Sequence, residues 1–279
     1  MPTLAQAPQS AAQKEERVWF WDNAKALLIF LVVLGHLLNA SWAKGSFNIL
    51  LVNIYLFHMP LFIFIAGYFS KRAVNAGQFP KRRIVGFLTI YAAITLFFWL
   101  IDCLAVRTGL VQARATPLRF FSASGAQWYM VAMVWWLLFG FALLSLKPGI
   151  KPWILLGAAL LGGLLIGYES TAGDFLVFLR AVNFFPFFLA GLLCKSEWFQ
   201  FLRKPLPRWI ALAVLLLLIA WMIWKYSYLH SLWQILTGRH LYKNIAAVGT
   251  GLGALYRLGH YLLAGLTGLC ILLVIPDRR

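Results

Sequence analysis

The chain has 279 residues, of which 62% are hydrophobic and 12% charged, and 25 Lys/Arg against 8 Asp/Glu give it a formal charge of +17. A soluble domain carries about a quarter charged residues, so this chain lacks the polar surface to face water, and its unbroken apolar runs do not suit the alternating ~10-residue strands of a membrane barrel. The composition describes an all-α polytopic transmembrane helix bundle, whose basic excess sets topology and meets anionic lipid rather than nucleic acid.

Residues 1–18 read as a polar N-terminal tail without the apolar stretch of a signal peptide, and 19–279 as the membrane domain. Apolar segments at roughly 24–43, 48–69, 84–106, 128–146, 150–168, 175–194, 208–228 and 244–275 give about eight spans. The last is interrupted by Tyr256 and Arg257 and reads as a short interfacial helix followed by a span starting near 258. With the N-terminus in the cytoplasm, basic residues in inside segments outnumber those outside by more than two to one. Cys103, Cys194 and Cys270 are widely separated and suggest neither a disulfide framework nor a metal site.

The first span runs Trp21-DNAKALLIFLVVLG-His36. Ionisable groups at membrane depth are costly and mark function. Lys25 and His36 are eleven residues apart, about three turns, and so lie within ~20° of each other around the axis. Asp22 falls near the same stripe, so an acid, a base and an imidazole line one face over about 20 Å. Interfacial placement of Asp22 and Lys25, with a packed His36, explains the same residues about equally well.

In the second span, Phe57-His58-Met59-Pro60 puts another histidine near mid-membrane, beside a proline that frees a backbone carbonyl. Two histidines on adjacent antiparallel spans can meet in a polar pocket, where a neutral imidazole serves as a general base. The following loop carries Lys71, Arg72, Lys81, Arg82 and Arg83. It is explained as a topology signal and is also suited to the phosphates of a nucleotide-like donor. Trp128 opens the fourth span from outside, as a belt aromatic or a carbohydrate platform. Arg180 opens the sixth, free to snorkel or to point inward. The glycines at 249, 251 and 253 follow no strand and read as helix packing, not as a phosphate loop.

In order and spacing, WFWDNAKALLIFLVVLGH, FHMPLFIFIAGYFSKR, WYMVAMVWW and FFPFFLAG resemble the acyltransferase-3 family, nearest its fucose 4-O-acetylase-like branch, over about 17–275. The resemblance implies a multi-span enzyme moving an acyl group, usually acetyl, from a cytoplasmic acyl-CoA to a sugar hydroxyl of a surface glycan. Lys25 and His36 match the family's basic residue, ten residues, then histidine, and His36 inherits the essential role. His58 matches the FHMP histidine, and Lys81, Arg82 and Arg83 match the basic motif thought to meet CoA. The chain departs from that pattern at Gly86, where many relatives carry a second arginine, and at Pro276, where two further spans would begin.

The expectation is therefore a multi-pass inner-membrane O-acetyltransferase using acetyl-CoA and a carbohydrate acceptor, with no metal. His36, His58, Asp22 and Lys25 are its catalytic candidates, Lys71, Arg72 and Lys81–Arg83 its CoA contacts, and Trp128 and Arg180 its acceptor contacts. The rivals are a transporter or flippase, since mid-membrane polar residues and a broken helix suit one, and an inactive, truncated relative. Spacing and composition leave the oligomeric state open.

Overall fold

The computed structural model describes residues 19–40, 46–75, 79–111, 117–123, 125–146, 149–169, 175–195, 197–198, 205–245 and 249–276. The polar tail 1–18 lies outside the described residues. Among the described residues the α-helices are α1 (Trp19–Ala40), α2 (Ser46–Asn75), α3 (Lys81–Arg107), α4 (Trp128–Leu146), α5 (Pro152–Leu165), α6 (Phe178–Leu193), α7 (Pro205–Trp224), α8 (Tyr226–Ser231), α9 (Trp233–Thr237) and α10 (Gly249–Val274). Among the described residues, seven helical segments are long and apolar enough to cross a membrane, and Pro152–Tyr168 is a shorter apolar helix. The chain is thus a polytopic bundle of seven to eight membrane helices.

Several boundaries differ from the sequence expectation: α1 begins at Trp19 rather than about 24, and α2 runs on to Asn75 rather than about 69. The seventh helix stops at Trp224, and two short helices, α8 and α9, follow it before the last span. The last apolar segment is one continuous helix from Gly249 to Val274 rather than an interfacial helix and a span. Arg257 did not break it, because the two terminal nitrogens of its guanidinium reach backbone carbonyls inside the protein, as described below.

The bundle is organised around α2, which packs against α1, α4, α6 and α10. α3 and α7 bury little of their length and lie at the periphery. With no hydrophobic drive between helices in lipid, association depends on close backbone approach, which small residues permit. Gly67 of α2 faces the Phe188 carbonyl of α6, and Gly191 of α6 faces the Phe64 carbonyl of α2, each too closely for a Cβ. Around this crossing, Trp136, Phe184, Phe188, Leu189 and Leu192 are fully buried. Trp136 donates its indole N–H to the Ala181 carbonyl at 2.7 Å, tying α4 to the start of α6.

Candidate active site

A cavity of about 260 Å³ opens where α1, α2, α6 and α9 converge at the His36 end of the bundle. Its lining includes His36 and Asn39 of α1, Tyr55 and His58 of α2, Trp128 at the start of α4, and Arg180 of α6. Trp233 and Thr237 of α9 and the following Arg239 and His240 complete the polar side. Four of the sequence candidates, His36, His58, Trp128 and Arg180, therefore meet in one place.

Local sequence explains how each arrives there. His58 is buried, at 4% exposure, and its Nδ1–H donates to the Ile54 carbonyl at 2.7 Å. A carbonyl only accepts, so Nδ1 carries the proton and Nε2 is left as an acceptor. Two residues on, Pro60 has no N–H to give the Leu56 carbonyl. His260 of α10 fills that gap, donating from Nε2 to Leu56 O at 3.1 Å. The proline is thus the reason a helix far away in sequence docks beside His58. Gly35 precedes His36, and a Cβ there would stand 3.2 Å from the Tyr55 ring, so its absence lets α1 lie close against α2. Tyr55 in turn meets the rings of His58 (4.9 Å) and Trp233 (4.5 Å).

Arg180 points inward rather than snorkelling. Its guanidinium lies 4.8 Å from the Trp128 ring centre, and Trp128 is buried rather than standing in a lipid-facing belt. The turn before α6 is strained: Leu176 (φ 47°) and Val177 (φ 52°) are both left-handed, which a β-branched residue rarely tolerates. Trp135 holds it by donating Nε1–H to Leu176 O at 3.0 Å, and Leu176 N–H donates to Phe121 O at 2.7 Å. Strain of this kind, about 1–3 kcal/mol per residue, collects at ligand sites.

The loop carrying Arg239 and His240 is pinned from behind. Gly238 is left-handed (φ 62°) and backs onto the Asn183 amide and the Phe184 ring, leaving no room for a Cβ. Arg257, 1% exposed, donates to Gly163 O at 3.1 Å and to His240 O at 3.5 Å, and stacks 4.5 Å from the Tyr242 ring centre. Burial raises the Tyr242 hydroxyl to about 12, so it stays protonated and donates to Leu164 O at 2.7 Å. Tyr261 closes the layer by donating to Asn183 Oδ1 at 2.9 Å. Arg257→Met takes a donor from the buried Gly163 carbonyl and from the part-buried His240 carbonyl, and a loss of about 1–3 kcal/mol is expected. Thermal unfolding in detergent checks it, with Arg257→Lys expected to recover part of the loss.

The other sequence candidates gather at the opposite end. Lys25 Nζ sits 3.7 Å over the Phe69 ring, and Arg83 donates to Phe69 O (3.4 Å) and Ser70 Oγ (3.3 Å). Lys71 Nζ donates to Cys194 O at 2.8 Å, while Arg72, Lys81 and Arg82 are exposed. Asp22 lies in the first turn of α1, half-buried. Lys25 and Asp22 therefore share a helix face with His36 but not its cavity; eleven residues at 1.5 Å put Lys25 roughly 16 Å from it. Among the described residues no group of three His, Cys, Asp or Glu could hold a metal ion.

Sequence reasoning missed Tyr55, Trp233, Arg239, His240, Arg257 and His260. The last two were within reach: each is ionisable inside an apolar span, the same signal that singled out His36.

An acyltransferase-3 family model, described as an acyltransferase domain, matches residues 18–275. Nodulation protein NolL of Sinorhizobium fredii is 33% identical over 129 residues, 45% of this chain and 32% of that protein. Nodulation protein NolL of Mesorhizobium japonicum is 37% identical over 87 residues, 28% of this chain and 22% of that protein. The aligned regions thus span a third or less of the curated relatives' own length. No solved structure matches the chain.

Proposed function

The chain belongs to the acyltransferase-3 family, and from that premise we propose that it is an inner-membrane O-acetyltransferase moving acetyl from acetyl-CoA to a glycan hydroxyl. The observation that carries the reading is the meeting of His36 and His58 in one cavity with Arg180 and Trp128.

The donor's phosphates are taken at the Lys25 end, on the cytoplasmic side, by Lys71, Arg72 and Lys81–Arg83. Lys25, over the ring of Phe69 whose backbone carbonyl Arg83 contacts, extends that cluster towards the bundle. The roughly 16 Å from Lys25 to His36 is comparable to an extended pantetheine arm. The acceptor enters from the other side, where the rings of Trp128, Trp233 and Tyr55 offer apolar platforms and Arg180, Arg239 and Asn39 offer polar contacts.

His36 takes the acceptor's hydroxyl proton as its oxygen bonds to the thioester carbonyl carbon. The carbon–sulfur bond breaks, and the CoA thiolate receives the proton from the imidazolium. His58, its Nδ1–H committed to Ile54 O, keeps Nε2 as an acceptor that orients the hydroxyl or the His36 ring. Asp22 steadies the entry of α1. Arg257 holds the Arg239–His240 loop in place from behind.

The test is purified protein given acetyl-CoA with and without a panel of oligosaccharides. Release of free CoA that depends on acceptor, with a matching gain of acetyl on the sugar by mass spectrometry, is expected. Release that ignores every acceptor would remove the glycan assignment, and no release at all would remove the enzyme assignment.

A further inference from the structure

We propose that the apolar groove beside His36 holds the donor's acyl group, and that its open side lets the protein transfer chains longer than acetyl. This rests on the acyltransferase reading above. On α1, Ile29, Val32, Val33 and His36 stand at i, i+3, i+4 and i+7, one face of the helix. A groove of about 190 Å³ runs along that face, backed by Phe62 of α2.

The groove and the polar cavity meet at His36, Met59 and Trp128, which line both. A thioester carbonyl placed at His36 therefore has a polar side for the acceptor and an apolar side for hydrocarbon, where each methylene removed from water is favourable. The outer wall is missing: Ile29 is 54% exposed and Val33 53%, and at that depth they face the bilayer. A chain too long for the groove continues into lipid instead of meeting protein. The larger apolar groove of about 330 Å³ among α2, α5, α6 and α10 shares no lining residue with the cavity and is not placed for this role.

The chemistry is the same for every chain length. The acceptor oxygen bonds to the carbonyl carbon, the carbon–sulfur bond breaks, and the hydroxyl proton passes through His36 to the CoA sulfur.

The experiment compares acetyl-, butyryl- and octanoyl-CoA with wild-type protein in lipid nanodiscs, reading esterified acceptor by mass spectrometry and folding by thermal unfolding. Octanoyl transfer within about tenfold of acetyl is expected from wild type. Val33→Trp, on the exposed wall, is expected to lower the octanoyl-to-acetyl ratio at least about tenfold, and Ile29→Trp to do so independently. Two results overturn the proposal: wild type transferring acetyl alone, or a ratio unmoved in both folded variants, as a groove filled only by bilayer lipid would give. Transfer from no donor at all would instead remove the acyltransferase reading beneath it.

Discussion

His36→Ala is expected to lower acetyl transfer about a thousand-fold while leaving the melting temperature within error of wild type. The two halves of that expectation have separate causes. A positioned general base contributes roughly 10²–10⁴-fold, and alanine offers no atom to accept the acceptor's proton. His36 is exposed on α1, at the cavity mouth, so removing its ring takes little packing from the core. His58→Ala makes the contrast. It should also lose most activity, but it strips a donor from the buried Ile54 carbonyl and is expected to cost about 1–3 kcal/mol of stability. If the two histidines act on one proton, the double variant loses little more than either single one, because residues that work as a unit are not additive. Kinetics of CoA release for the three variants, each with its unfolding curve, decide the matter. An active His36→Ala protein would remove the base from the mechanism.

What the sequence made legible follows from what a helix in lipid must do. Long apolar runs leave few alternatives to a helical bundle, so the spans could be read with small errors at their ends. His36 and His58 were legible because a titratable group inside an apolar run is costly in lipid and so stands out from its neighbours. The Pro60 effect was half legible. The sequence showed that the Leu56 carbonyl would lose its donor, but not that His260, 204 positions on, would supply one. Arg239 and His240 were opaque for another reason. They lie in a short irregular stretch, where basic residues at a membrane surface are already explained by topology. What holds this stretch at the cavity is Arg257, bonded to the His240 carbonyl and placed by the packing of α10 on α5. The reading of Arg257 as a helix interruption failed on the same point, since the cost of a buried guanidinium depends on carbonyls and rings contributed by other segments.

The second large effect is structural, and it comes from two glycines that do no chemistry. Gly191→Val is expected to abolish accumulation of folded protein, or to lower its stability by at least about 3 kcal/mol, the upper end of ordinary overpacking. Most overpacked sites relax because a neighbouring side chain changes rotamer. Here the obstacle is the Phe64 carbonyl of α2, held in its own helix ladder, so only movement of a whole helix makes room. Gly67→Val meets the Phe188 carbonyl of α6 in the same way and should fail alike. Separating α2 from α6 also separates His58 from Arg180, so any surviving folded fraction should bind acceptor poorly. Gly157→Val is the control. A Cβ there meets nothing within 4 Å, and α5 presents this position outward, so unfolding should shift by no more than about 0.5 kcal/mol. Size-exclusion yield and thermal unfolding in one detergent compare all three. A wild-type melting curve for Gly191→Val would mean that α2 and α6 do not cross through these glycines, and the placement of the cavity between them would fall with it.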